Sequence, residues 1–137
     1  MRIAACFLAL AVLALPALAY ADPCEGDLPA RAGQTFSGAV RYVGDGDSLC
    51  VGPSGDPNTS IEVRLADFNA PELNSQGERA ARAALERIAM GRQAQCTVGG
   101  GRSRRVVSYD RVIATCRIGG RRIGDLLRES GVEEGGR

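Results

Sequence analysis

Three short stretches gather the side chains that could do chemistry. Residues 43–49 read Val-Gly-Asp-Gly-Asp-Ser-Leu and set Asp45 and Asp47 either side of Gly46. Residues 63–72 carry Arg64, Asp67 and Asn69, then Ala70, Pro71 and Glu72. Residues 109–111 are Tyr109, Asp110 and Arg111. Two aspartates on a glycine turn offer oxygens to a hard cation. The same tripeptide is equally a turn capped by its own side chains. Arg64 and Arg111 carry planar forks that can grip a phosphate bidentately. A carboxylate such as Glu72 can orient or deprotonate water. These groups together suit attack of water on a phosphodiester, where extra negative charge develops on the phosphate oxygens.

Composition removes most rival chemistries. The 137 residues contain no His, which excludes Ser-His-Asp triads, catalytic His dyads and His metal sites. All 17 basic residues are Arg, which excludes Schiff-base lysines and the lysine of a phosphate-binding loop. A formal charge of +1 is not that of a polycation coating nucleic acid by bulk charge. With 45% hydrophobic and 24% charged residues, the chain reads as one globular domain. Arginine is nevertheless concentrated late in the chain. Seven arginines lie between Arg102 and Arg122, against Asp110 as the one acid. That stretch is either a solvated face or a basic rim guiding a polyanion.

The elements that must position these residues follow from periodicity. Residues 36–43 alternate loosely as a strand, 45–47 turn, and 48–51 return. Glycines 44 and 46 permit positive φ in that turn. Residues 52–60 form a Gly-, Pro- and Ser-rich loop. Ile61, Val63 and Leu65 alternate with polar neighbours as a half-buried strand. Ser75 followed by Glu78 is a capping box, and Ala81, Ala84, Leu85 and Ile88 continue at helical spacing to Gly91. Residues 93–98 and 111–118 are two further strands, and Ile123, Leu126 and Leu127 open a short helix ending at Gly131. Five strands, with one helix between the third and fourth and a short C-terminal helix, predict an OB-type β-barrel of the α+β class.

The N-terminus reads as a sorting signal. Arg2, an apolar run over residues 3–15 and the small residues around Ala19 and Ala21 predict a secretory signal peptide over residues 1–21. Residues 22–137 are then the single exported domain, periplasmic or secreted, with no stable membrane association after cleavage. Cys6 leaves with the signal, and Cys24, Cys50, Cys96 and Cys116 remain. Cys96 and Cys116 sit in consecutive strand-like segments, which predicts a Cys96–Cys116 bridge and, by elimination, Cys24–Cys50. The rival, a four-thiolate zinc site, lacks any C-x-x-C spacing.

Taken together the three stretches resemble the staphylococcal nuclease (thermonuclease) family. Its pattern is a D-G-D-[TS] turn, R-L-x-x-x-D-[TA]-P-E, then Y-G-R opening a later strand. The match runs from about Phe36 to Val132. The resemblance implies an OB barrel with flanking helices and metal-dependent hydrolysis of DNA and RNA with little sequence preference, usually aided by calcium. It implies Arg64 and Arg111 on the scissile phosphate, Glu72 as general base and Tyr109 near the substrate phosphate. It assigns calcium to Asp47, to Asn69 and to the backbone carbonyl of Ala70. DNA and RNA are the implied partners, and no obligate protein partner is evident.

Three departures matter. Asn69 stands where the family has a second calcium-binding Asp, so the oxygen stays and the charge is lost. Asp67, two residues earlier, would share a face with Asn69 in a regular strand and is the candidate replacement. Asp110 replaces the glycine of Y-G-R, and the family's C-terminal aromatic segment and final helix find no counterpart after Gly131. An alternative therefore stands beside the nuclease: a catalytically weakened module that binds nucleic acid or a protein partner.

Overall fold

A computed structural model describes residues 23–135. The expected signal peptide lies outside the described residues. Strands β1 (Thr35–Asp45), β2 (Ser48–Gly52) and β3 (Ile61–Leu65) form an antiparallel meander, with a single 3₁₀ turn at Pro57–Thr59 in the loop before β3. Helix α1 (Gln76–Ala89) follows, then β4 (Gln93–Val98), β5 (Val107–Ser108) and β6 (Arg111–Ile118). The described chain continues through β7 (Arg121–Arg122) and α2 (Ile123–Glu129).

Closure explains the barrel. β1 spends its first half against β4 and its second against β2, with register irregularities at Val40/Tyr42 and Val43/Asp45. Such bulges bend a strand and increase its twist, letting one strand serve two neighbours. β4 pairs antiparallel with β6, and β6 pairs parallel with β3 through Val63↔Val112 and Leu65↔Ala114. The ring β1-β2-β3-β6-β4 is thus closed: a five-stranded mixed barrel with two helices, the expected OB-like architecture. β5 and β7 are two-residue additions along β6 that the sequence reading omits.

Alternation delivers the core. Val40, Val43, Leu49, Val51, Val63, Leu65, Ala114 and Ile118 fill the barrel. α1 contributes Ala81, Ala84, Leu85 and Ala89, and α2 contributes Ile123 and Leu127. Ser75 caps α1 as expected, accepting the Glu78 N–H at 3.1 Å. Two disulfides reinforce the small core. Cys96 and Cys116 are register partners across β4 and β6, and Cys24 ties the irregular lead-in to Cys50 of β2. Both expected pairings are present, and they suit an oxidising compartment. Among the described residues, no helix is long and apolar enough to cross a membrane.

Candidate functional site

The site grows from the β1–β2 turn, where Asp45 and Ser48 are register partners. Gly46 sits where a Cβ would lie 2.7 Å from Ala81 Cβ and 2.8 Å from Ala70 Cβ. Neither Gly44 nor Gly46 has positive φ, so Gly46 is required for space rather than for dihedral freedom. Its bareness lets the turn press against α1 and the loop after β3.

The two aspartates make different contacts. Asp45 closes the turn, its Oδ1 accepting the Asp47 N–H at 3.0 Å. Asp47 reaches across the barrel edge instead. Its Oδ2 accepts the Ala70 N–H at 2.7 Å and lies 3.1 Å from Arg64 Nη2. Only 9% of the Asp47 side chain is exposed. Burial raises its pKa to about 6, outweighing the Ala70 N–H and Arg64, while the Asp45 charge adds to the rise. Burial also opposes ionisation of Asp45, but the Asp47 N–H, Ser48 and Arg111 reverse the balance and lower its pKa.

Arg64 projects from β3, opposite Ser48 of β2. Nη1 donates to the carbonyls of Leu65 at 2.6 Å and Phe68 at 2.8 Å, and Nη2 donates to Asn69 Oδ1 at 2.7 Å. One guanidinium therefore folds the loop after β3 around itself and bridges Asp47 to Asn69. Arg111 opens β6 at the other side of the turn, with Nη1 4.0 Å from Asp45 Oδ2. Each arginine keeps about a fifth of its side chain exposed (22%), enough to meet a ligand. Asp45, Asp47, Arg64, Asn69, Ala70 and Arg111 are thus brought together.

Two expected residues lie at the margin. Glu72 is exposed just before α1. Tyr109 is 94% exposed at the tip of the β5–β6 hairpin, with φ 58°. Positive φ is costly for a bulky residue and clusters at functional positions.

Asp67 is a correction. Face-sharing with Asn69 requires extended strand, and β3 ends at Leu65. The chain then bends, and Asp67 turns toward α2, where its Oδ2 accepts the Gly124 N–H at 3.2 Å. Burial raises its pKa, against that N–H and the charges of Arg122 and Arg128. The basic rim also shrinks. Arg121 pairs with Glu129 and Arg122 with Asp125, whereas Arg102, Arg104 and Arg105 remain exposed on the loop before β5. That loop and the loop after β3 border an open cleft of about 550 Å³, lined among others by Arg64, Asn69, Arg102, Ser103 and Arg128. Arg128 is a site neighbour that no local pattern in the sequence reveals.

Among the described residues, no three Asp, Glu, Cys or His side chains converge to hold a metal. Two oxygens do meet, the Asp47 carboxylate and the Asn69 amide oxygen, both on Arg64 Nη2, so their field attracts a cation. Ala70 turns its N–H to Asp47, and its carbonyl oxygen lies beside Gly135. A hard ion such as calcium would find there one full negative charge and one amide oxygen, a weakly charged site. Compared with known proteins, the chain matches no family model and no curated protein.

Proposed function

We propose that the chain is an exported nuclease of the staphylococcal nuclease type, periplasmic or secreted, that hydrolyses phosphodiester bonds in DNA and RNA. The observation carrying this reading is the paired arrangement of Arg64 on Asp47 and Arg111 on Asp45 around one buried turn. Two partly exposed guanidinium groups on the barrel edge, each beside a carboxylate of the turn, form an anion clamp. A phosphodiester entering it exchanges the carboxylate contacts for its own oxygens, and gains more from the clamp as charge develops in the transition state.

The remaining residues have matching roles. Glu72 stands at the solvent side, where it can orient or deprotonate the attacking water. Tyr109, at the hairpin tip next to Asp110 and Arg111, offers a hydroxyl and a ring face to the substrate strand. Arg102, Arg104 and Arg105 draw the polyanion along the cleft. Calcium, when bound, would be held by Asp47 and Asn69 and would neutralise phosphate charge. Substrate oxygens and water must complete its coordination, so metal and substrate binding reinforce one another.

One observation favours the second reading, a binding module without efficient turnover. Both terminal nitrogens of Arg64 are committed to protein oxygens, and Asn69 supplies no charge. Glu72→Gln separates the two. In a nuclease it abolishes cleavage while leaving single-stranded DNA binding within a few-fold. In a binding module the parent protein already cleaves nothing under conditions where it binds.

A further inference from the structure

The peptide between Asn69 and Ala70 is held from both sides. Its N–H donates to Asp47 Oδ2 at 2.7 Å, and its carbonyl accepts the Gly135 N–H at 2.7 Å. The bond is trans, so these two groups point in opposite directions. One rigid planar unit therefore links the Asp47–Arg64 pair to the last described residue of the chain. Gly135 is seated closely. A Cβ there would overlap the Ala70 carbonyl oxygen and lie 2.8 Å from the Ala70 carbonyl carbon and 3.0 Å from Pro71 Cα.

Arg128 of α2 pins this tail. Its Nε and Nη2 donate to Glu134 Oε2 at 3.1 Å and Oε1 at 2.8 Å. Nη2 also donates to the Asp67 carbonyl, and the guanidinium lies 5.8 Å from the centre of the Phe68 ring. One side chain thus grips the tail and the loop after β3 together. Arg64 holds that same loop as well, through the Phe68 carbonyl and Asn69 Oδ1.

We infer that residues 132–135, pinned by Arg128, are a strap that positions the Asp47–Arg64 centre through the Asn69–Ala70 peptide. Arg128, Glu134 and Gly135 are positioning residues. The strap fixes the plane of the peptide, and the plane aims the Ala70 N–H at Asp47. Hydrogen bonds in such a chain polarise one another, so losing the outer bond weakens the inner one. That the positioned centre binds calcium and phosphate rests on the function proposed above. The mechanical coupling does not.

The test compares the oxidised protein with Gly135→Ala and with a chain stopped after Glu133, which keeps Val132. Amide hydrogen exchange is followed by NMR in chelator, and calcium affinity is measured by titration. The Ala70 amide should exchange about three- to tenfold faster in both variants, with the Ala114 amide of β6 unchanged. Calcium affinity should fall by a similar factor. If Ala70 keeps its protection in both variants, the strap is overturned. If Ala70 loosens and calcium affinity stays the same, its positioning role is overturned. Uniform loss of protection in the shortened chain would reflect general destabilisation, and Gly135→Ala then decides by the same comparison. Should the parent protein bind no calcium and cut no DNA while Ala70 still responds, the coupling stands and the nuclease reading falls.

Discussion

Replacing Asp47 by Asn should stabilise the metal-free protein at neutral pH, although it removes an ion pair. Asp47 is held in a site that disfavours its charge, with a pKa raised to about 6 from an ordinary 3.8. The native state therefore binds this proton more tightly than the unfolded chain does. The stabilisation from the bound proton is fully present below about pH 4. It is lost as pH rises through 6, where the native carboxylate must ionise in place. Two pKa units at 1.36 kcal/mol each give a cost of about 3 kcal/mol above pH 7. The contribution of Arg64 is already inside that figure, because its charge lowers the same pKa. Asn keeps an oxygen for the Ala70 N–H and carries no charge. Urea unfolding of both proteins in chelator, at pH 4, 5, 6 and 7 and constant ionic strength, reads the effect directly. Titration of the other groups largely cancels in the difference. The advantage of the Asn variant should grow by about 2 kcal/mol between pH 4 and 7. A difference that stays flat with pH, or one that turns toward the parent protein, would show that the fold does not oppose the Asp47 charge.

Further outcomes follow from the same geometry. Calcium at a hundred times its dissociation constant should stabilise the parent by about 2.7 kcal/mol at pH 7, and by much less at pH 5, where Asp47 is protonated. Thermal unfolding with and without the ion checks this. Asp67→Ala should leave calcium affinity unchanged while costing about 1 kcal/mol of stability through the lost bond to Gly124, both measurable by titration and urea unfolding. Gly46→Ala should cost about 1–3 kcal/mol by forcing a methyl group against Ala81 and Ala70, seen as a lowered urea midpoint. Replacing Cys96 and Cys116 together by Ser should cost about 2–4 kcal/mol in the same assay.

The barrel was legible because its signals are local. Ile61, Val63 and Leu65 announce a strand by alternation, Ser75 and Glu78 announce a helix start by spacing, and the short strand-like segments at Cys96 and Cys116 suggest their own bridge. β5 and β7 were not legible, because a two-residue strand is defined by the partner it pairs with rather than by its own pattern. Asp67 misled for a related reason. The rule of alternate faces holds only while the chain stays extended, and nothing at Ala66 marks the bend. Gly46 was legible as a glycine that matters but not for its reason, since the space it leaves is claimed by Ala81 and Ala70 from distant segments. Arg64 was legible as a fork for a phosphate but not as the centre of the loop that wraps it. Its place between Asp47 and Asn69 depends on a turn 17 to 19 residues earlier in the chain and on the barrel that closes around both. The hold of Arg128 and Gly135 on the loop after β3 spans about 60 residues, and no periodicity carries such information.

An anion clamp at work on a phosphodiester shows itself in cleavage of single-stranded DNA by the oxidised protein lacking residues 1–21, in calcium, in another divalent ion and in chelator, beside Arg111→Ala. Cleavage should depend on the metal and fall by about a hundredfold or more when Arg111 is removed. Folded protein that binds the DNA and cuts none of it in any metal would leave the two arginines without a catalytic role.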